Sequence, residues 1–99
     1  MERYSTRVID DMGRMALPSE LRNKLDMEEG DSIILKPIDT IVILQKAGND
    51  TEVGSHVCQV NELGMFTIPK ALRQQLGWEV RDGIAVYNTD NILILKLAT

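Results

Sequence analysis

The feature that most constrains this chain is that it repeats itself. The stretch "DMGRMALPSELRNKL" at residues 11–25 returns as "ELGMFTIPKALRQQL" at residues 62–76, an offset of 51. Applied to the whole chain, that offset aligns residues 7–46 with 58–97 without a gap. Identities fall at Gly13/Gly64, Pro18/Pro69, Leu21/Leu72, Arg22/Arg73, Leu25/Leu76, Glu28/Glu79, Asp31/Asp82, Ile33/Ile84, Asp39/Asp90, Ile41/Ile92, Ile43/Ile94 and Leu44/Leu95. Most are residue types with backbone or core roles, which marks a tandem duplication. A copy of roughly forty residues is too small to enclose a core alone. The two copies are therefore expected to interleave around one core.

Each copy predicts the same order of elements. A short strand (Thr6 to Ile9; Val57 to Val60) meets an acidic, glycine-containing turn, "DDMG" or "NELG", and a second short strand follows, "RMAL" or "MFTI". Pro18 and Pro69 stand where a helix begins, a place where a missing N–H is harmless and a fixed φ helps. Leu17, Leu21 and Leu25, like Ile68, Leu72 and Leu76, recur every four residues as one buried stripe. A helix of about two turns must be held by packing. Then "DMEEGDSIILKPIDTIVILQK" and "GWEVRDGIAVYNTDNILILKL" each carry two apolar runs around a turn, at Ile38–Thr40 or Thr89–Asn91, the pattern of a β-hairpin. Ile33 and Leu35 alternate with Ile34, and Ile41 and Ile43 with Val42 and Leu44, so cover is expected on both faces.

The expected fold is thus mostly β with two short helices, in two ββαββ repeats. The first repeat occupies 1–46, a linker "AGNDTEVGS" occupies 47–55, and the second repeat occupies 56–99. At ~3.3 Å per extended residue the linker reaches roughly 30 Å, enough for the halves to pair within one chain. Exchange of halves between two chains is equally open to the sequence.

Composition narrows the function. A net charge of −4 and a sequence pI near 4.9 argue against a non-specific polyanion binder, yet leave room for a local basic patch. Cys58 is the single cysteine, so no disulfide forms within the chain, and with His56 alone beside it there is no metal-ligand set. The amino terminus "MERYSTRVID" is charged where a signal peptide is apolar, and no apolar run approaches the ~18 to 20 residues of a membrane span. These features predict a soluble cytoplasmic protein. One histidine, a cysteine without a neighbouring base and the lack of a phosphate-cradling glycine loop predict a non-enzyme with no cofactor, no metal and no small-molecule substrate.

"TRVIDDMGRMALPSELRNKLDMEEGDSIIL", with the hairpin "IDTIVILQK", resembles the AbrB-like (SpoVT/AbrB) domain. The shared pattern is an arginine in the first strand, an acidic pair, Gly-Arg, an apolar strand, a proline before a short helix with Leu-Arg, then Gly-Asp and a hairpin. The second copy resembles it over "VNELGMFTIPKALRQQLGWEVRDGIAV" and "DNILILK". The resemblance implies a swapped-hairpin β-barrel, made in the family by two identical chains and here joined covalently. It also implies a DNA-binding transcriptional regulator whose partner is duplex DNA. Carried over by position, Arg7 is the first-strand arginine, Arg14 the one after glycine and Arg22 the helical one, with Asn23 beside it; the second copy has Cys58, Met65, Arg73 and Gln74 there. Lys24 and Lys70, on or beside the helices, join Arg7, Arg14, Arg22 and Arg73 as candidate DNA-binding residues. A fused pair, unlike an obligate homodimer, is free to differentiate its halves, and the first half is expected to dominate.

For the arginines the competing reading is a solvated or packing role, and for Arg22 the persistence of its mate favours structure. Glu28, Glu29 and Asp31 read as a turn before the hairpin, with capping by the matched Glu28/Glu79 and Asp31/Asp82. Arg3 reads as part of a flexible arm, Trp78 as packing the edge of the core, and of the pair Met65–Phe66 the methionine is expected to face out. The alternative function is a protein-interaction module that keeps the barrel, has lost DNA binding, and pairs with itself, a related regulator or another protein. Antitoxin relatives of the fold use an extended C-terminal tail, and MraZ proteins carry an Asp-x-x-x-Arg motif that "SELR" and "KALR" do not supply.

Overall fold

The computed structural model describes residues 3–48 and 54–98; positions 49–53 of the expected linker lie outside them. The elements follow the duplicated order: β1 (Arg3–Val8), β2 (Arg14–Ala16), α1 (Ser19–Lys24), β3 (Ser32–Ile38), β4 (Ile41–Lys46), β5 (His56–Gln59), β6 (Met65–Thr67), α2 (Lys70–Leu76), β7 (Gly83–Thr89) and β8 (Ile92–Leu97). The fold is mostly β with two short helices.

Local chemistry accounts for the breaks. Asp10 Oδ1 accepts the backbone N–H groups of Met12 and Arg14 at 2.9 and 2.7 Å, and Asn61 Oδ1 accepts those of Leu63 and Met65 at 2.9 and 3.0 Å. These side chains reinforce turns that the backbone also closes, through Asp10 N–H to Arg14 O and Gly13 N–H to Asp10 O, both at 2.9 Å, and their mates from Asn61 and Gly64 at 2.8 and 2.9 Å. Pro18 and Pro69 precede the helices with φ fixed at −54° in both. Both hairpins turn on two residues, with Asp39 and Asp90 at φ of 53° and 46°, a left-handed region that aspartate tolerates. Asp31 and Asp82 cap their turns by accepting the N–H of Glu28 and Glu79 at 2.9 and 2.8 Å.

The strands form a six-stranded antiparallel sheet in the order β1-β7-β8-β4-β3-β5 and a separate two-stranded ribbon, β2-β6. The halves interleave: β1 pairs with β7, β5 with β3, β4 with β8, and β2 with β6. At the middle of the sheet Ile43 faces Ile94, and at the middle of the ribbon Met15 faces Phe66. Each pair is separated by the repeat offset of 51, so a pseudo-twofold axis passes between the partners of both. The ribbon is bound in by Leu17 N–H to Gly64 O at 2.8 Å and its mate, Ile68 N–H to Gly13 O at 2.9 Å. The sheet is not closed on itself: β1 and β5 are its edges.

One core fills the space between these layers. Met15, Leu21, Leu35, Leu44, Phe66, Leu72, Val86 and Leu95 from both copies are buried in a single cluster. Trp78, expected at the margin, is only 4% exposed within it.

Two expectations need correction. β1 begins at Arg3, three residues before the expected Thr6, because β7 extends far enough to pair with it (Arg3 opposite Tyr87); Arg3 heads a strand instead of an arm. The hairpin strands are not covered equally on both faces. Val42, Leu44, Leu93 and Leu95 are buried, whereas Ile41, Ile43, Ile92 and Ile94 are only partly so. Lys36 opposite Ile43 and Tyr87 opposite Ile94 flank that outer row on the same face.

Candidate nucleic-acid interface

Alternation in the β2-β6 ribbon sorts its residues. Met15 and Phe66 turn into the core at 1% exposure each, so Arg14, Ala16, Met65 and Thr67 lie on the other face. Arg14 stands opposite Thr67, and Ala16 opposite Met65. Arg14 and Met65 are therefore related by the pseudo-twofold, as are Ala16 and Thr67.

Arg14 Nε donates to Asp10 Oδ2 at 2.9 Å, with both side chains about a third exposed (38% and 31%). The backbone N–H of Arg14, then its side chain and the N–H of Met12, hold the Asp10 carboxyl below its ordinary range. Only Nε is engaged, so both Nη groups stay available as donors. In the second copy Asn61 keeps the same two backbone bonds while Met65 replaces the arginine. The turn survives and both charges are gone.

Arg7 lies on β1 opposite Ile84. Its Nε is buried and makes no hydrogen bond, as do Ser5 Oγ on the same strand face and Asn88 Oδ1 on neighbouring β7. The mate of Arg7 is Cys58, whose Sγ–H donates to the carbonyl of Thr67 at 3.2 Å and whose thiol pKa is pushed up by burial. By the same symmetry Arg7 flanks Ala16 on β2. Arg7 and Arg14 thus bracket the first-half side of the ribbon, and an uncharged Cys58–Met65 pair brackets the other.

Arg22 and Arg73 are placed differently. Their Nε atoms donate to the carbonyls of Leu17 and Ile68, both at 3.0 Å. Each guanidinium lies on the turn glycine of the opposite copy. A Cβ at Gly64 would stand 2.9 Å from Arg22, and one at Gly13 would stand 2.8 Å from Arg73, at φ of 76° and 78°. These arginines fasten each helix to the other half, which explains why both copies retain them. Lys24 lines a cleft of about 430 Å³ with Leu25, Asp26, Gln45, Lys46, Asn91 and Ile92. Lys70 opens α2 on the exposed surface. Of the six candidates, Arg7 and Arg14 stand on the first-half side of the ribbon, while Arg22 and Arg73 give their Nε atoms to the backbone and keep their Nη groups beside the turn glycines.

Sequence reasoning missed Arg81. It aligns with Gly30 and shares that residue's left-handed backbone, φ 75° against 86°. Its Nε and Nη2 meet the two carboxylate oxygens of Asp11 at 3.0 and 3.3 Å. The signal was present as a glycine replaced by arginine at an otherwise matched turn. With Asp10 held by Arg14 and Asp11 by Arg81, the acidic turn of the first half is neutralised, and Arg7 adds a positive charge beside it. The equivalent second-half set, Cys58, Asn61, Glu62, Met65 and Gly30, carries one net negative charge.

Among the described residues no group of three or more His, Cys, Asp or Glu side chains is gathered to hold a metal ion, and no helix is long and apolar enough to cross a membrane.

No protein-family model and no curated protein sequence matches the chain. Among solved structures it is similar to the solution structure of PHS018 from Pyrococcus horikoshii, with a TM-score of 0.56 and 25% identity over 99% of this chain and 94% of that one. That likeness is one of fold over nearly the full length of both chains.

Proposed function

We propose that the protein is a DNA-binding transcriptional regulator of AbrB type, its two repeats forming within one chain the swapped-hairpin barrel that the family builds from two chains. It works in the cytoplasm as a binding protein and not as an enzyme. The observation that carries the reading is the placement of Arg7 on β1 and Arg14 on β2 on one side of the β2-β6 ribbon, beside an acidic turn whose two carboxylates are each matched by an arginine. Planar guanidinium donors in such a row suit phosphate oxygens and guanine edges. The acidic net charge of the chain does not oppose this, because the local set of Arg7, Asp10, Asp11, Arg14 and Arg81 carries one net positive charge. Titration of the protein into labelled AT-rich, promoter-like duplexes tests it by fluorescence anisotropy. Salt-sensitive binding supports the reading, and a folded protein that leaves the anisotropy unchanged at low salt overturns it.

A second reading rests on different residues. Met12 and Leu63, mates at the tips of the two turns, are 69% and 72% exposed, and Val8 and Val57 on the sheet edges are 57% and 51% exposed. Such side chains suit a protein partner, and on this reading the module pairs with itself or a related regulator. A concentration-dependent mass that falls on Met12→Ser/Leu63→Ser substitution, without any DNA binding, would favour it.

A further inference from the structure

We infer that the ribbon reads the two halves of its DNA site by different chemistry, hydrogen bonding from Arg14 and a methyl contact from Met65, so that its preferred site is not a palindrome. The inference rests on the DNA-binding reading above.

The turns before β2 and β6 are closed by the same pair of side-chain bonds, from Asp10 and from Asn61, at 2.7 to 3.0 Å. The ribbon pairs Arg14 with Thr67 and Ala16 with Met65 about the pseudo-twofold axis. Met65 therefore leaves the ribbon from the place and in the direction that Arg14 does on the other side. A duplex laid across the axis presents each of these residues with a groove position related by the duplex's own dyad.

The chemistry at those two positions is opposite. Arg14 offers two Nη groups, the geometry that recognises the O6 and N7 acceptors of guanine. Met65 offers only a polarisable apolar chain, with the exposed Thr67 methyl on the same face. A guanine edge facing Met65 would lose its water without gaining a donor, whereas the 5-methyl of thymine gains apolar contact. The flanking residues agree, since Arg7 adds a cation on the Arg14 side and Cys58, its thiol spent on the Thr67 carbonyl, adds none on the other. The loss of Asp10's charge at Asn61 together with Arg14's at Met65 removes the carboxylate beside Met65 and leaves Glu62, the mate of Asp11, as the one acidic residue of that turn. The ribbon face of the second half, Met65 and Thr67, is thus an uncharged, methyl-reading surface.

The test is selection of binding sites from a randomised duplex pool, followed by substitution in the enriched site. Asymmetric sites are expected, with a G·C pair on one side and a T at the mirrored position. Replacing that T by deoxyuridine, which removes only the 5-methyl group, should weaken wild-type binding about three- to tenfold. The Asn61→Asp/Met65→Arg variant, which installs the first half's own residues, should lose its response to deoxyuridine and prefer a palindrome of the G·C half. Circular dichroism establishes that the variant is folded. Palindromic sites selected by the wild type, or indifference to deoxyuridine, would overturn the inference while leaving DNA binding intact. Failure of the wild type to enrich any duplex would overturn the DNA-binding reading and the inference with it.

Discussion

Arg14 gives its Nε to Asp10 Oδ2 at 2.9 Å, and 51 residues on, Asn61 and Met65 keep the turn that surrounds this pair while discarding both charges. The acceptor that shapes the backbone is Oδ1, which aspartate and asparagine share. The ion pair is therefore separable from the fold. What the first half keeps beyond the fold is a positioned guanidinium, and that separation is the basis for assigning it a function.

Acid should weaken the first turn selectively. Because the folded pKa of Asp10 lies below its ordinary value of 3.8, its contribution is fully present above that value and is lost as pH falls through the lower folded one. Asp10→Asn keeps the backbone bonds and removes the titration. Denaturant melts should show the variant less stable than wild type at pH 7, with the gap closing below about pH 4. A gap independent of pH would assign Asp10 no such role.

The contact of Arg22 with Gly64 should appear as coupling between the copies. Gly64→Ala places a Cβ 2.9 Å from the guanidinium at a positive φ, and the backbone alone costs about 1–2 kcal/mol. Arg22→Ala should cost about 1–2 kcal/mol through the lost bond to the Leu17 carbonyl and lost packing. The double variant should fall short of the sum, since truncating the arginine removes the clash. Additive melts would mean that the two do not touch.

Arg81→Gly should change stability little and DNA affinity more. Relief of a left-handed arginine is worth roughly 1 kcal/mol, and the exposed pair with Asp11 about as much or less, so the net change should lie within about 1 kcal/mol of zero. Freed of its partner, Asp11 would stand unmasked beside Arg14. Duplex affinity should fall several-fold by anisotropy while the melting midpoint moves by no more than about 4–8 °C, and an unchanged affinity would place Asp11 away from the DNA.

Much of the fold was legible in one chain because the repeat supplied a second reading of every element. Both hairpins, the prolines before the helices, the capping aspartates and the inward Phe66 followed from local pattern. What escaped depended on partners from the other copy. The start of β1 at Arg3 is set by the length of β7, and the roles of Arg22 and Arg73 are set by glycines that lie 42 and 60 residues away along the sequence. The outer isoleucines misled because alternation reports which strands are apolar on both faces and not whether an element exists to cover the second. Arg81 was hidden by its similarity to any surface arginine until its φ was known.

The salt dependence of duplex binding, compared between the wild type and Arg7→Ala/Arg14→Ala, tests the central claim most directly. Neutralising about four to six phosphates gives a slope of log affinity against log salt of about −4 to −5, and removing two of the contacts should lower its magnitude by about 2. The variant should remain folded, because neither side chain holds the copies together. A folded variant with the slope and affinity of the wild type would contradict the account and move the DNA, or the partner, to another face.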